Sequence, residues 1–267
     1  MGSPRRVTPE RDTTAPQSSR IVGGPTVAPS PAVARPEQQV RDQWLPAPEP
    51  AVRSALSGGD LATFGAVVRG RRSVRRLLPD PLPDGVLDAI LEDTLWAPSP
   101  HGTQPWRFVV MTRETSRAQL ADAMAESWRA NLALDGDDPA VMAQRLAGSR
   151  RRLLEAPALV LVCQWLVDLD RYPDPQRAVA ERTMATQSLG AAVQTLLLST
   201  YARGLDAGWM CAPLFCPEVV RDALGLDARL DPQALVAIGY AAADPRRRPR
   251  RPPSELIVWD DRVPEVR

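Results

Sequence analysis

The chain has 267 residues, 33 basic against 32 acidic side chains, a formal net charge of +1 and 44% hydrophobic residues. That length fits one folded domain of roughly 200 residues plus a tail, or at most two small domains, and near-neutral charge argues against nucleic-acid binding by the whole surface. No apolar run approaches the ~20 residues of a membrane-spanning helix, and no apolar stretch of signal-peptide type opens the chain. A cytoplasmic protein without membrane attachment is therefore expected.

Two scarcities narrow the chemistry. Lysine is missing altogether, which removes a Walker-type lysine on phosphates and a lysine Schiff base. The single histidine, His101, excludes multi-histidine metal sites and any Ser-His-Asp triad not built on it. The cysteines Cys163, Cys211 and Cys216 show no metal-ligand spacing and read as reduced, mostly buried thiols.

Residues 1–56 are rich in Pro, Ser, Thr and Arg. Such a segment buries too little apolar surface to offset its ordering entropy and reads as a disordered tail, leaving 57–267 as the folded domain. A first helix is expected over Leu61–Val68 with Asp60 as its N-cap. The Pro79–Pro83 turn separates it from an amphipathic helix capped by Asp84 and running to Leu95. A loop, Ala97–Pro105, leads into a strand at Trp106–Met111.

Helices are expected near 116–128 and 139–154, joined by the Asp/Gly-rich break Asp135–Asp138, and Ala158–Cys163 reads as a buried strand. The run Ala178–Arg203 is the most apolar helix, with Gly204 suited to end it. A strand from Gly208 to Cys211, a short helix Pro217–Leu224 and a core strand Leu235–Tyr240 complete the domain. The Pro/Arg-rich tail ends in the apolar Leu256-Ile257-Val258-Trp259, a strand-like patch suited to packing on a partner subunit.

Two stretches carry most of the functional signal. Arg69–Arg76 (RGRRSVRR) concentrates five arginines and a serine, and guanidinium forks match phosphate oxygens. A solvated helix end is the other reading of that run. The loop APSPHGTQPW, Ala97–Trp106, sets Ser99, Thr103 and Gln104 before an apolar strand, either as ligand-binding groups or as ordinary turn chemistry.

This pair resembles the FMN-dependent nitroreductase family, through Arg71-Arg72-Ser73-Val74-Arg75 and Ala97-Pro98-Ser99 with Gln104-Pro105-Trp106. The resemblance covers about Leu61 to Trp259. It implies an α+β fold with a mostly antiparallel sheet flanked by helices, an intertwined homodimer, and FMN at the subunit interface. By the same resemblance Arg71, Arg72, Ser73, Val74 and Arg75 would hold the FMN phosphate, completed by Arg247 or Arg248. Ser99, Thr103 and Gln104 would meet the ring or ribityl chain, and Met210 with Cys211 would lie near the flavin. For Cys211 a buried strand thiol is the plainer expectation. Where many members have a loop asparagine, this chain has Gly102.

Further segments are similar to the C-terminal reductase domain of the bifunctional F420 biosynthesis protein FbiB of actinobacteria. They are the APSPHGTQP loop, Trp128-Arg129-Ala130-Asn131-Leu132, Tyr172-Pro173-Asp174 and Gly190-Ala191-Ala192-Val193-Gln194. This likeness implies reduction of dehydro-F420-0 to F420-0, by hydride transfer from reduced FMN to a C=C bond. His101, Arg129 and Asn131 would then face a small anionic deazaflavin precursor; a plain loop histidine and a solvated helix face are the other readings. General NAD(P)H nitro- or quinone reduction shares the motifs, and so does a flavin- or deazaflavin-binding protein without turnover.

Overall fold

The apolar run ALVLVCQW forms an eight-residue strand, β3 (Ala158–Trp165), whose first seven residues are buried. Continuous apolar sequence of this kind marks a strand covered on both faces. Alternation then sorts its side chains. Leu159, Leu161 and Cys163 join one core cluster, and Val160 and Val162 join the other. The structure, a computed structural model, describes residues 57–245, 248–260 and 262. The expected N-terminal tail (1–56) and Arg247 lie outside the described residues.

The other strands are β1 (Leu77–Leu78), β2 (Trp106–Met111), β4 (Asp206–Met210) and β5 (Leu230–Ala241). They make a five-stranded sheet in the order β1-β5-β3-β2, with β4 also on β5, and every pairing is antiparallel. The helices are α1 (Gly58–Gly70), α2 (Val86–Thr94), α3 (Glu114–Leu134), α4 (Pro139–Glu155), α5 (Pro175–Ala202) and α6 (Pro217–Leu224). One face of the sheet packs on α3, α4 and α6, through residues such as Leu120, Leu153 and Val220. The other packs on α2 and α5, through Ile90, Leu189 and Val193. No described helix is long and apolar enough to cross a membrane.

Several element ends differ from the sequence reading, each for a local reason. Helix α1 starts earlier because Ser57, not Asp60, is the N-cap. Asp60 instead closes a capping box, with its amide donating to Ser57 Oγ at 3.2 Å. Helix α2 begins after Gly85, whose φ of 72° sets the entry, so Asp84 does not cap it. Helix α3 continues to Leu134, six residues past the expected end at Trp128. Helix α5 begins at Pro175, three residues before its expected start at Ala178, because Asp174 caps it by accepting from the Arg177 amide at 2.9 Å.

Strand β5 starts at Leu230 rather than Leu235 because Pro232 is taken up where the register shifts between Val162 and Cys163. Irregularities of this type tolerate a residue without an N–H. The patch Leu256–Trp259 is no strand: it follows a 3-10 turn at Pro253–Glu255, with Val258 99% and Trp259 77% exposed.

Candidate functional site

The arginine run leaves α1 in extended form and docks beside β4. Ser73 bridges Ala207 in parallel, and the Val74 amide donates to the Ala207 carbonyl at 2.9 Å. Gly208 permits this approach, because a Cβ there would overlap the Val74 carbonyl oxygen. Val74 itself is buried in the core, so only its main chain faces outward. The docking turns Arg71, Arg72, Arg75 and Arg76 toward a cleft of about 470 Å3 that Arg248 and Arg250 also line.

Among the described residues no carboxylate lines this cleft. Arg72 is partly committed, since its Nη1 donates to the carbonyls of Arg69 at 2.5 Å and Arg71 at 2.7 Å, capping the end of α1. The Arg71 side chain makes no hydrogen bond among the described residues, and its buried Nε, like that of Arg72, is without an acceptor. Burial first, then the charges of Arg72 and Arg250, hold the Arg71 guanidinium below its ordinary value. Half-buried cations gathered with no counter-charge destabilise one another, and a multiply charged anion removes that cost.

A second cleft, of about 600 Å3, meets the first at Arg75. Its walls are Trp128 and Asn131 from α3, Arg152 from α4, and Trp209, Met210 and Phe215 around the end of β4. Cys211 also lines it and is exposed, a correction to the buried thiol expected from sequence; β4 ends at Met210, one residue before it. Cys163 and Cys216 are buried. Burial pushes the Cys163 thiol up to about 12.

Asn131 is therefore placed with Met210, whereas Arg129 is not. Two positions along a helix point to different faces. Arg129 turns into a separate groove between α3 and α4 and pairs with Glu126.

The loop before β2 is strained. His101 (φ 53°), Gly102 (φ 65°) and Gln104 (φ 45°) are all left-handed, an uncommon state for His and Gln. Ser99 Oγ accepts from the Gln104 amide at 3.0 Å and Thr103 Oγ1 donates to the Pro100 carbonyl at 3.0 Å. Both hydroxyls thus build the turn, while the exposed His101 ring and the Gln104 side chain make no hydrogen bond among the described residues.

This loop and the arginine run do not meet within one chain. Trp106 is level with Gln164 and Asp231, and Ser73 with Ala207 and Ile238. Seven strand positions and four strand-to-strand steps separate them, roughly 30 Å at standard sheet spacings.

Arg76, Arg248 and Arg250, drawn into the first cleft, belong to runs whose composition was visible in sequence. Arg152, Trp209 and Phe215 carried no local signal, because helix arginines and strand aromatics are common everywhere.

Residues 68–240 match the family described as "Nitroreductase family". An NADH dehydrogenase of Thermus thermophilus is 30% identical over 213 residues, covering 71% of this chain and 92% of the relative. A candidate NAD(P)H nitroreductase of Bacillus subtilis, YfhC, is 26% identical over 186 residues, 70% of this chain and 88% of the relative. Among solved structures, a candidate nitroreductase from Desulfovibrio desulfuricans in complex with FMN is 26% identical. It superposes with a TM-score of 0.57 over 74% of this chain and 96% of its own. The match spans the arginine run, all of the sheet but its last residue, Ala241, and the helices that cover it: the chain belongs to the nitroreductase family.

Proposed function

We propose that this chain is an FMN-dependent oxidoreductase acting as a homodimer, and that its acceptor is a flat, anionic, conjugated molecule. The observation that carries the reading is the arginine cleft, lined by no carboxylate among the described residues and by the half-buried Arg71, whose Nε is without an acceptor. Its chemistry fits a phosphate of nearly two negative charges. Arg71, Arg72, Ser73, Arg248 and Arg250 would hold that group, with Arg247 added from the same basic tail. When bound, FMN supplies the two-electron redox centre, so the chain needs neither a metal nor a nucleophile of its own.

The chain's own residues then position and desolvate. Arg75 stands between the phosphate cleft and the larger one. Met210 and Cys211 line the latter, and Trp128, Trp209 and Phe215 give it apolar walls for a ring. Ser99, Thr103 and Gln104, with His101, would reach the cofactor of the other subunit, since 30 Å exceeds the span of one FMN molecule. An exposed apolar stripe on α1, Leu61, Phe64 and Val68, and the exposed Leu256–Trp259 patch supply surface for such a partner.

For the acceptor we favour the dehydro precursor of coenzyme F420, whose C=C bond beside a carboxylate would be reduced. This rests on the Trp128–Leu132 and APSPHGTQP segments; Trp128 and Asn131 line the larger cleft, and Arg129 of the same segment does not. General NAD(P)H nitroreduction is the second reading, favoured by the likeness to YfhC.

Three measurements separate these readings. Purified protein should be yellow or take up FMN, and Arg71→Gln should weaken that binding about 10–100-fold, the loss of a charge-assisted contact. With FMN bound, dehydro-F420-0 should be turned over. Fast nitroaromatic reduction with no action on the deazaflavin would favour the second reading, and reducible flavin that serves neither acceptor would indicate a binding protein. A monomer carrying stoichiometric FMN in sedimentation would refute the dimer.

A further inference from the structure

Helix α4 carries four arginines, and three of them have an acid. Arg145 pairs with Asp137 at 2.6 Å, Arg150 with Asp122 at 2.6 Å and Arg151 with Glu155 at 4.0 Å. Arg152 has none among the described residues. Its Nε donates to the Gly148 carbonyl at 3.1 Å, which fixes the direction of the guanidinium and leaves both Nη groups uncommitted. It is half-buried and lines the 600 Å3 cleft together with Arg75. Arg75 likewise makes no ion pair among the described residues, and Asp135, which also lines the cleft, is paired with neither.

We propose that Arg75 and Arg152 form a second anion site, which receives a carboxylate of the reacting substrate while the Arg71 cleft holds the cofactor. The proposal rests on the flavin reading above and names the substrate feature that this chain selects. Burial, then Arg75, then Arg151, hold the Arg152 guanidinium below its ordinary value, so the two cleft arginines already act on one another. Two guanidiniums that line one cleft, neither of them paired with an acid among the described residues, are poised for an oxyanion, which each can meet with paired N–H donors. The rest of the wall suits the remainder of such a molecule: Trp128, Trp209 and Phe215 offer faces for a conjugated ring. Recognition of both parts at once selects a flat aromatic or conjugated acid over its neutral isostere.

Calorimetric titration with 4-nitrobenzoate and nitrobenzene tests this on the full chain, with and without FMN. Wild type should prefer the carboxylate by about tenfold or more, the scale of one charge-assisted contact. Arg152→Gln should abolish that preference while FMN titrates as in wild type, and Arg152→Lys should restore part of it. Arg71→Gln should do the reverse, losing FMN and keeping the carboxylate preference.

An unchanged preference in Arg152→Gln would overturn the proposal, as would a wild type indifferent to the carboxylate. Loss of FMN from Arg152→Gln in step with Arg71→Gln would assign the residue to the cofactor instead and overturn it equally. Should wild type take up no FMN, the flavin reading falls by itself. The carboxylate preference, measured on the flavin-free protein, still decides the second site.

Discussion

Replacing Gly208 by alanine tests whether the docking of the arginine run on β4 creates the anion cleft. The added methyl would overlap the Val74 carbonyl oxygen, which belongs to the backbone and cannot rotate away. Either the run peels off β4 or β4 slides on β5. The first outcome breaks the 2.9 Å bond from the Val74 amide to the Ala207 carbonyl, worth about 1 kcal/mol. The second keeps the bond and leaves overpacking of about 1–3 kcal/mol, so the cost is about 1–3 kcal/mol either way. At roughly 2–4 °C per kcal/mol for a domain of this size, Tm should fall by about 2–12 °C.

FMN affinity should fall with it, because Arg71 and Arg72 ride on the displaced segment. Gly148→Ala is the matched control. It lies inside α4 with open space at its Cβ position, so helix propensity alone should stabilise it by up to about 1 kcal/mol. Thermal melts and a flavin fluorescence titration on both variants decide the matter. A Gly208→Ala protein that melts within about 2 °C of wild type and binds FMN equally well would refute the reasoning.

Ser99→Ala strips the Gln104 amide of its acceptor in a strained loop. It should cost about 1–2 kcal/mol and speed proteolysis between Ala97 and Pro105, read by limited digestion. Under native conditions a thiol reagent should label one cysteine, Cys211, rising to three in denaturant. Cys163 and Cys216 are buried, and burial raises both thiols, Cys163 to about 12. Mass spectrometry of the labelled peptide checks the site.

Burial also pushes the Asp206 carboxyl up, against the pull of the Ala241 amide and with a smaller push from Asp244. A carboxylate raised on folding penalises ionisation, so its cost is absent below the unfolded value of about 3.9 and grows as pH rises through the folded one. Asp206→Asn should therefore melt higher than wild type at pH 7, with the gain vanishing below about pH 4.

Elements with strong local rules were legible in the sequence. Strand β2 and helix α6 have the bounds read from pattern and proline placement, and Gly204 ends α5 with φ 74° as its position promised. Ends set by competing caps were not legible. Asp60 and Asp84 are both good N-caps by type, yet Ser57 and Gly85 hold those places because side-chain reach and backbone turn decide between neighbours. The lower half of β5 was hidden by Pro232, which reads as a break until the opposing register shift is known. Two-residue β1 has no periodicity to detect; it exists because Leu77 and Leu78 fall opposite Ala241 and Tyr240.

The site was legible in parts and not in assembly. Arginine composition reports an anion, and the strained loop announces itself through Gly102 and its polar neighbours. Which groups meet depends on strand order, and β2 lies at the edge of the sheet remote from β4. Two motifs about 25 residues apart along the chain can thus be roughly 30 Å apart in space. If both contact one cofactor, a second copy must bring the loop to the arginines. That requirement also explains what the folded chain leaves uncovered, since a monomer gains nothing from Phe64 at 59% exposure. Arg152 shows the converse. Nothing in Arg150-Arg151-Arg152 distinguishes the third residue, and only the lack of an acid partner among the described residues, with Arg75 lining the same cleft, sets it apart.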